Sequence, residues 1–242
     1  MWHKQLTRWA GDRSYTMANA VWTKGNAKLL KTSGGEYHVV GFGLPADVDF
    51  VGVDGEKRNT CPGALACRAV CYAKQGTYRF ANVVKARHHN LDLSKRSDFV
   101  DLIIDDLSTM VIKSKRCRKP YNVVRLHDAG DFYSQRYLND WSTIARSFPD
   151  VIFYAYTKSM HLDLSKVPAN LRITQSLGGR YDNLVNLGRP HSRIFSNDKA
   201  REDAFYVDGN INDVPAIEGD IAIGLVYHGG RNLTPAQEKF FG

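Results

Sequence analysis

Six short apolar runs dominate the pattern of this chain: Tyr37 to Phe42, Asn122 to Leu126, Val151 to Tyr156, Leu171 to Thr174, Arg193 to Phe195 and Ile221 to Val226. Each has strand length and is bounded by turn-forming or polar residues. Helical patterns or long crossovers separate them, and such connections join parallel strands rather than hairpins. The chain therefore reads as α/β, with a mostly parallel sheet covered by helices. Six strands suit a partial (β/α)6 TIM-like barrel better than a closed eight-stranded one. Two amphipathic helices fall between the first two strands. Thr77 is placed to cap one, with Phe80, Val83, Val84, Arg87 and Leu91 on its stripe. Ser97 is placed to cap the other, with Phe99, Ile103, Leu107, Met110 and Val111 inward. A third helix, Gln135 to Phe148, turns Tyr137, Leu138, Trp141, Ile144 and Ala145 inward. The expected organisation is one domain over 1–242. Residues 1–35 form an irregular N-terminal extension, 36–228 the partial barrel, and 229–242 a short terminal helix capped at Thr234.

At 242 residues and 43% hydrophobic composition the chain can bury a sizeable core. No apolar run reaches the roughly 20 residues of a membrane helix, so no membrane partner is expected. Four cysteines are too few for a secreted disulfide scaffold, which points to a reducing, cytoplasmic compartment. The net charge of +8 lies entirely in the first half. There are twenty basic and eleven acidic residues up to Pro120, and thirteen and fourteen beyond it. Such a half suits a polyanionic partner or a solvated surface, and charge alone leaves both open.

Three of the four cysteines, Cys61, Cys67 and Cys71, lie within eleven residues, in C-x5-C-x3-C spacing after the first strand. Clustered thiolates repel unless a soft cation neutralises them. Three on one loop suit an iron–sulfur cluster, [4Fe–4S], with one iron open or bound by another residue. Zinc, which favours four ligands at closer paired spacings, and plain buried thiols remain alternatives. Cys117 sits apart in a basic run and reads as incidental. The strand exits carry polar groups where ligands bind parallel sheets: His127, Asp128 and Asp131 after the second strand, and Thr157 and Lys158 after the third. Gln175, Ser176, Ser196, Asn197, Tyr227 and His228 follow the later ones. The 127–131 segment reads equally as a strand exit held by Asx turns.

Gly25-Asn-Ala-Lys-Leu, Asn59-Thr-Cys-Pro-Gly-Ala, Cys71-Tyr-Ala-Lys-Gln-Gly, Gly130-Asp-Phe-Tyr-Ser and Thr157-Lys-Ser resemble the bacteriophage gene product 88 domain family, from about Gly25 to Asn197. The resemblance implies a phage origin, hence the host cytoplasm, and carries no reaction with it. More distantly, the arrangement is similar to radical S-adenosylmethionine (SAM) enzymes, which have a partial barrel with a three-cysteine loop after the first strand. That likeness implies Cys61, Cys67 and Cys71 as cluster ligands, with Tyr72 packed beside the cluster. It places Ala129, Gly130 and Asp131 where the methionyl group of SAM is received. The loop spacing departs from the superfamily's C-x3-C-x2-C, and the turn is Ala-Gly-Asp rather than Gly-Gly-Glu.

The resulting expectation is an iron–sulfur enzyme using SAM and an electron donor. Asp131, Lys158 and His228 are its catalytic candidates, and Ser176 and Asn197 line the cofactor. Arg79, Lys85, Arg87 and Arg116 would contact the phosphates of a nucleic-acid or nucleotide substrate. Two alternatives stand beside it: a nucleic-acid-binding module whose metal only staples the loop, and a non-radical cluster enzyme that uses the open iron.

Overall fold

A computed structural model describes residues 19–116 and 121–227. Its elements run α1 (Ala27–Thr32), β1 (Val39–Phe42), β2 (Asp49–Val51), β3 (Lys57–Asn59), α2 (Ala81–Ser94), α3 (Phe99–Arg116), β4 (Val123–Leu126) and α4 (Gln135–Ser147). They continue β5 (Ile152–Thr157), β6 (Leu171–Ser176), β7 (His191–Phe195), α5 (Asp198–Asp203), β8 (Val207–Asp208), α6 (Val214–Glu218) and β9 (Ala222–Val226). Short 3-10 turns at Ala66–Arg68, Tyr72–Lys74 and Gly76–Arg79 fill the stretch between β3 and α2.

Seven strands form one sheet in the order β1-β4-β5-β6-β7-β9-β8, with every neighbouring pair parallel. The sheet curls into a half-barrel. All six strands expected from the sequence are present. The seventh, β8, has two residues and no apolar run to announce it. Regular β/α alternation does not hold: β5 to β6 crosses by a loop, and β6 to β7 by a loop with the 3-10 turn Asp182–Leu184. The stretch between β1 and α2 contains the antiparallel pair β2–β3, with Asp49 opposite Asn59.

Strand register sorts the side chains onto two faces. Val124, Leu126, Phe153 and Ala155 point outward onto α3 and α4, against Phe99, Ile103, Tyr137, Leu138, Trp141 and Ile144. These positions alternate with Val39, Val123, Tyr154 and Ile223, which point inward onto Leu29 of α1 and Ala216 and Ile217 of α6. The helix expected at 135–148 buries the stripe that its sequence dictates, and Ser134 caps it by accepting the Tyr137 N–H at 3.3 Å. Trp141 is fully buried there, worth about 3 kcal/mol in apolar transfer. The inner face is plugged by α1, part of the expected extension. Asn26 caps α1, accepting the Leu29 N–H at 2.7 Å.

The other two helices start differently from the expectation. Thr77 lies inside a 3-10 turn, and α2 begins at Ala81 after an extended Phe80 that supplies no side-chain cap. Phe80 and Val84 are exposed, and the buried face is Arg87, Asn90, Leu91, Leu93 and Ser94. Polar groups can face inward because they are satisfied: the Asn90 amide donates to the carbonyls of Val21 and Gly43 and accepts the Val21 N–H. The second helix begins at Phe99 rather than at a Ser97 cap, with the Asp98 carbonyl accepting the Leu102 N–H. Cys117, His228 and the helix expected over 229–242 lie outside the described residues. Among those residues no helix is long and apolar enough to cross a membrane.

Candidate functional site: a thiol-lined cavity at the strand ends

The exit of β4 is a tightly held turn. His127 has φ 64°, and its Nε2 lies 3.0 Å from the Tyr137 hydroxyl. Burial pushes its pKa down to about 3, so the imidazole is neutral. Asp128 pairs with Arg87 at 2.7 Å, and its carbonyl accepts the Tyr72 hydroxyl. Gly130 has φ 82°, and a Cβ there would lie 2.6 Å from the Leu44 Cβ, so glycine is required on both counts. The neighbouring backbone is clamped from two sides, by Leu44 N–H to the Ala129 carbonyl at 2.9 Å and Asp131 N–H to the Thr60 carbonyl at 2.8 Å.

Asp131 is buried and accepts the Thr157 hydroxyl at 2.5 Å, the Lys158 N–H at 2.9 Å and the Phe132 N–H at 2.7 Å. Burial still raises its pKa above the usual carboxylate value. Lys158 turns its ammonium onto neutral oxygens: the Ser176 hydroxyl at 2.7 Å and the carbonyls of Ser176 and Leu177. Burial lowers its pKa, opposed by the thiols and by Asp131.

The cysteine loop is stitched across these exits. Gly63 packs so closely on Lys158 that a Cβ would lie 2.1 Å from the Lys158 carbonyl oxygen. Ala64 bridges to Gly179, and the Arg180 N–H donates to the Gly63 carbonyl at 2.8 Å. Asp47 ties the two ends of the loop. It receives Arg68 at 3.0 Å and Lys74 at 2.8 Å, and its N–H donates to the Cys61 Sγ at 3.3 Å. The three thiols come from three local settings: the β3 exit (Cys61), the Ala66–Arg68 turn (Cys67) and the extended residue before Tyr72–Lys74 (Cys71).

All three line a single cavity of about 590 Å³ with Tyr72, Ala129, Gly130, Asp131, Lys158 and Ser176. Burial pushes the Cys61 thiol up to about 12 and raises Cys71 too, so these groups stay protonated unless a cation joins them. Among the described residues, no three His, Cys, Asp or Glu side chains converge as ligands of one metal ion. The thiols share a wall rather than a coordination sphere.

The remaining candidate residues lie elsewhere. Asn197 is not in the cavity wall; it caps α5, accepting the Ala200 N–H at 2.9 Å. Arg79 and Lys85 are exposed. Arg87 is a correction: it is buried, paired with Asp128 and packed 4.3 Å over the Tyr78 ring, so it presents no surface charge to a phosphate. The Arg116 side chain lies outside the described residues. The sequence reading missed the inward floor, where Arg125, Tyr156, Ile194 and Leu225 line the cavity with Lys28 of α1. An arginine inside the apolar strand Val123–Leu126 was the available signal. Arg125 and Lys28 both hold Asp213 at 2.7 Å, and Asp213 also accepts the Tyr154 hydroxyl at 2.9 Å.

The fold is thus a mostly parallel α/β half-barrel with a thiol-lined cavity at its strand ends, the edge at which parallel sheets commonly hold ligands. The gene product 88 family model matches residues 20–231, and the chain belongs to that family. It is 27% identical over 152 residues to the Gene 88 protein of Mycobacterium phage D29, covering 56% of this chain and 63% of that one. It is 32% identical over 111 residues to the Gene 88 protein of Mycobacterium phage L5, covering 45% of this chain and 46% of that one. The chain thus spans between about half and three fifths of these relatives' length. No solved structure matches.

Proposed function

We propose that this chain is an iron–sulfur enzyme of the partial-barrel, radical-SAM-like type, with Cys61, Cys67 and Cys71 as cluster ligands. One observation carries the reading. Three thiols from three separate local settings line the same cavity as the strand-exit groups Asp131, Lys158 and Ser176. A cluster spreads its irons over several corners, so its thiolates need a shared wall rather than a single point. When bound, the cluster would supply one-electron chemistry to SAM held at its open iron.

The protein's own part is orientation. Gly130 lets the turn seat against Leu44, which holds Asp131 in the cavity wall, and Asp131 has one acceptor position left. A carboxylate offers about four lone-pair sites, and three are occupied by Thr157, Lys158 and Phe132. The fourth suits the methionyl ammonium. Lys158 spends its donors on the Ser176 hydroxyl and the Ser176 and Leu177 carbonyls, so it brings positive charge to the cavity wall rather than a free donor. At about 590 Å³ the cavity is within the range of small-molecule sites.

Anaerobic purification with iron and sulfide quantification tests the first step. Iron and sulfide in matching amounts are expected, with both lost in Cys71→Ser while the fold persists by circular dichroism. A colourless, iron-free protein after reconstitution overturns the reading. Calorimetric titration of the loaded protein with SAM, and 5′-deoxyadenosine on reduction, test the second step.

A further inference from the structure

From Lys57 to Leu91 the chain contains no Asp or Glu over 35 residues, while it carries seven Lys or Arg and two His. This segment includes the cysteine loop and one lip of the cavity. Arg58 is taken up by Asp54, Arg87 by Asp128, and Arg68 and Lys74 together by Asp47. Lys57, Arg79 and Lys85 are exposed and have no ion-pair partner among the described residues. Between these cations stand two exposed rings, Tyr72 at 56% and Phe80 at 59%. Tyr72 is fixed by its bond to the Asp128 carbonyl and by an edge contact with Tyr78 at 5.5 Å, and Arg87 backs Tyr78 in turn. The lip therefore carries one fixed ring, Tyr72, and a second exposed ring, Phe80, with the unpaired cations Arg79 and Lys85 near them in the chain and a concave chamber behind Tyr72.

We propose that this lip binds single-stranded nucleic acid. Arg79 and Lys85 hold its phosphates, bases stack on Phe80 and Tyr72, and one base enters the cavity. Exposed rings interleaved with cations are the arrangement that binds single strands, since every base has a face to stack and every link a charge. A chamber behind the lip reaches a base only when that base is out of a duplex stack. An acidic protein partner would use the cations but not the chamber. The inference names the substrate class of the site proposed above and rests on the cavity being its reaction chamber, yet binding at the lip is measurable with or without a cluster.

Fluorescence anisotropy of the full chain with labelled 20-nucleotide mixed-sequence single strands, DNA and RNA, and the matching duplex provides the test. Single strands are expected to bind, with affinity falling as salt rises by a log–log slope of about −0.7 per phosphate held. The Arg79→Glu/Lys85→Glu double variant is expected to lose at least tenfold and to flatten the slope. Phe80→Ala is expected to lose about five- to a hundredfold with the slope kept. Lys199→Glu, on α5 and paired with Asp203, controls for net charge and is expected to change little. The stronger of the DNA and RNA arms identifies the sugar. Absence of binding at 50 mM salt, equal loss in Lys199→Glu, or a duplex bound as tightly and indifferent to Phe80→Ala overturns the inference. Iron content separates the two proposals. A loaded protein that ignores single strands sinks only this one, and an iron-free protein that binds them sinks only the enzyme reading.

Discussion

Gly130 and Gly63 are the residues at which backbone geometry, rather than chemistry, decides the site. Each holds a loop where any Cβ would strike a neighbour, Leu44 in one case and the Lys158 carbonyl in the other. Gly130→Ala adds the left-handed penalty of about 1–2 kcal/mol to that clash. A loss of at least 2 kcal/mol in urea unfolding is expected. At Gly63 the contact is with backbone, so the loop must lift; Gly63→Ala is expected to lower iron incorporation more than it lowers the melting temperature. His127 makes a pH prediction. Its folded pKa of about 3 lies below the ordinary 6.5, so the folded state binds fewer protons than the unfolded one. The stability this neutral imidazole contributes is complete above pH 6.5 and falls as pH drops toward 3, by about 1.4 kcal/mol per pH unit. His127→Gln should flatten the acid limb between pH 6 and 4 by about one proton. A limb unchanged in slope would refute the assignment. At this scale the gathering of the cysteines and Asp131 at the strand ends was legible from their type and spacing. Arg125 and Tyr156 were not, because inward-facing residues are identified only once strand register is known.

The elements differ in how openly the sequence declares them. α4 was readable to within a residue because its apolar stripe is regular, and the Ser134 cap that fixes its start went unread. α2 was read in part: Arg87 and Leu91 are on its buried face as expected, but Phe80 and Val84 are exposed and Asn90 is buried instead, held by Val21, 69 residues away. No local pattern carries that information. The knot around Asp213 has the same long-range character. It joins α1 through Lys28 and Thr32, β4 through Arg125, β5 through Tyr154, and the start of α6. Removing one member of a buried ion pair leaves the rest uncompensated, which costs about 3–5 kcal/mol. Asp213→Ala is therefore expected to destabilise by that amount in chemical unfolding. A loss under 1 kcal/mol would show that the knot is wetter than its burial indicates.

Across the molecule the two hydrophobic faces are unequal. The outer one gathers most of the large buried side chains, and the inner one is smaller and opens into the cavity. Amides in β4 and β5, covered on both faces, are expected to exchange slowest with deuterium. Those of the two-residue strand β8 should exchange fastest among the strands, because few buried apolar contacts restrain it. Exchange slowest in β7 or β9 would contradict this ranking. The parallel sheet itself was legible because six apolar runs separated by long crossovers permit little else. Its crossings without helices, and the short β8, were not, because loops and two-residue strands leave no periodicity to read.

The small ladder between Ala64 and Gly179 joins segments more than a hundred residues apart in the chain and makes an arch with both feet anchored. A visitor to the chamber cannot enter by raising that roof without breaking the Arg180 bond and the Gly63 contact together. The Tyr72 ring lines the same chamber from beyond the arch, held by its hydroxyl on the Asp128 carbonyl. Tyr72→Ala is expected to widen the chamber on that side while leaving the arch standing.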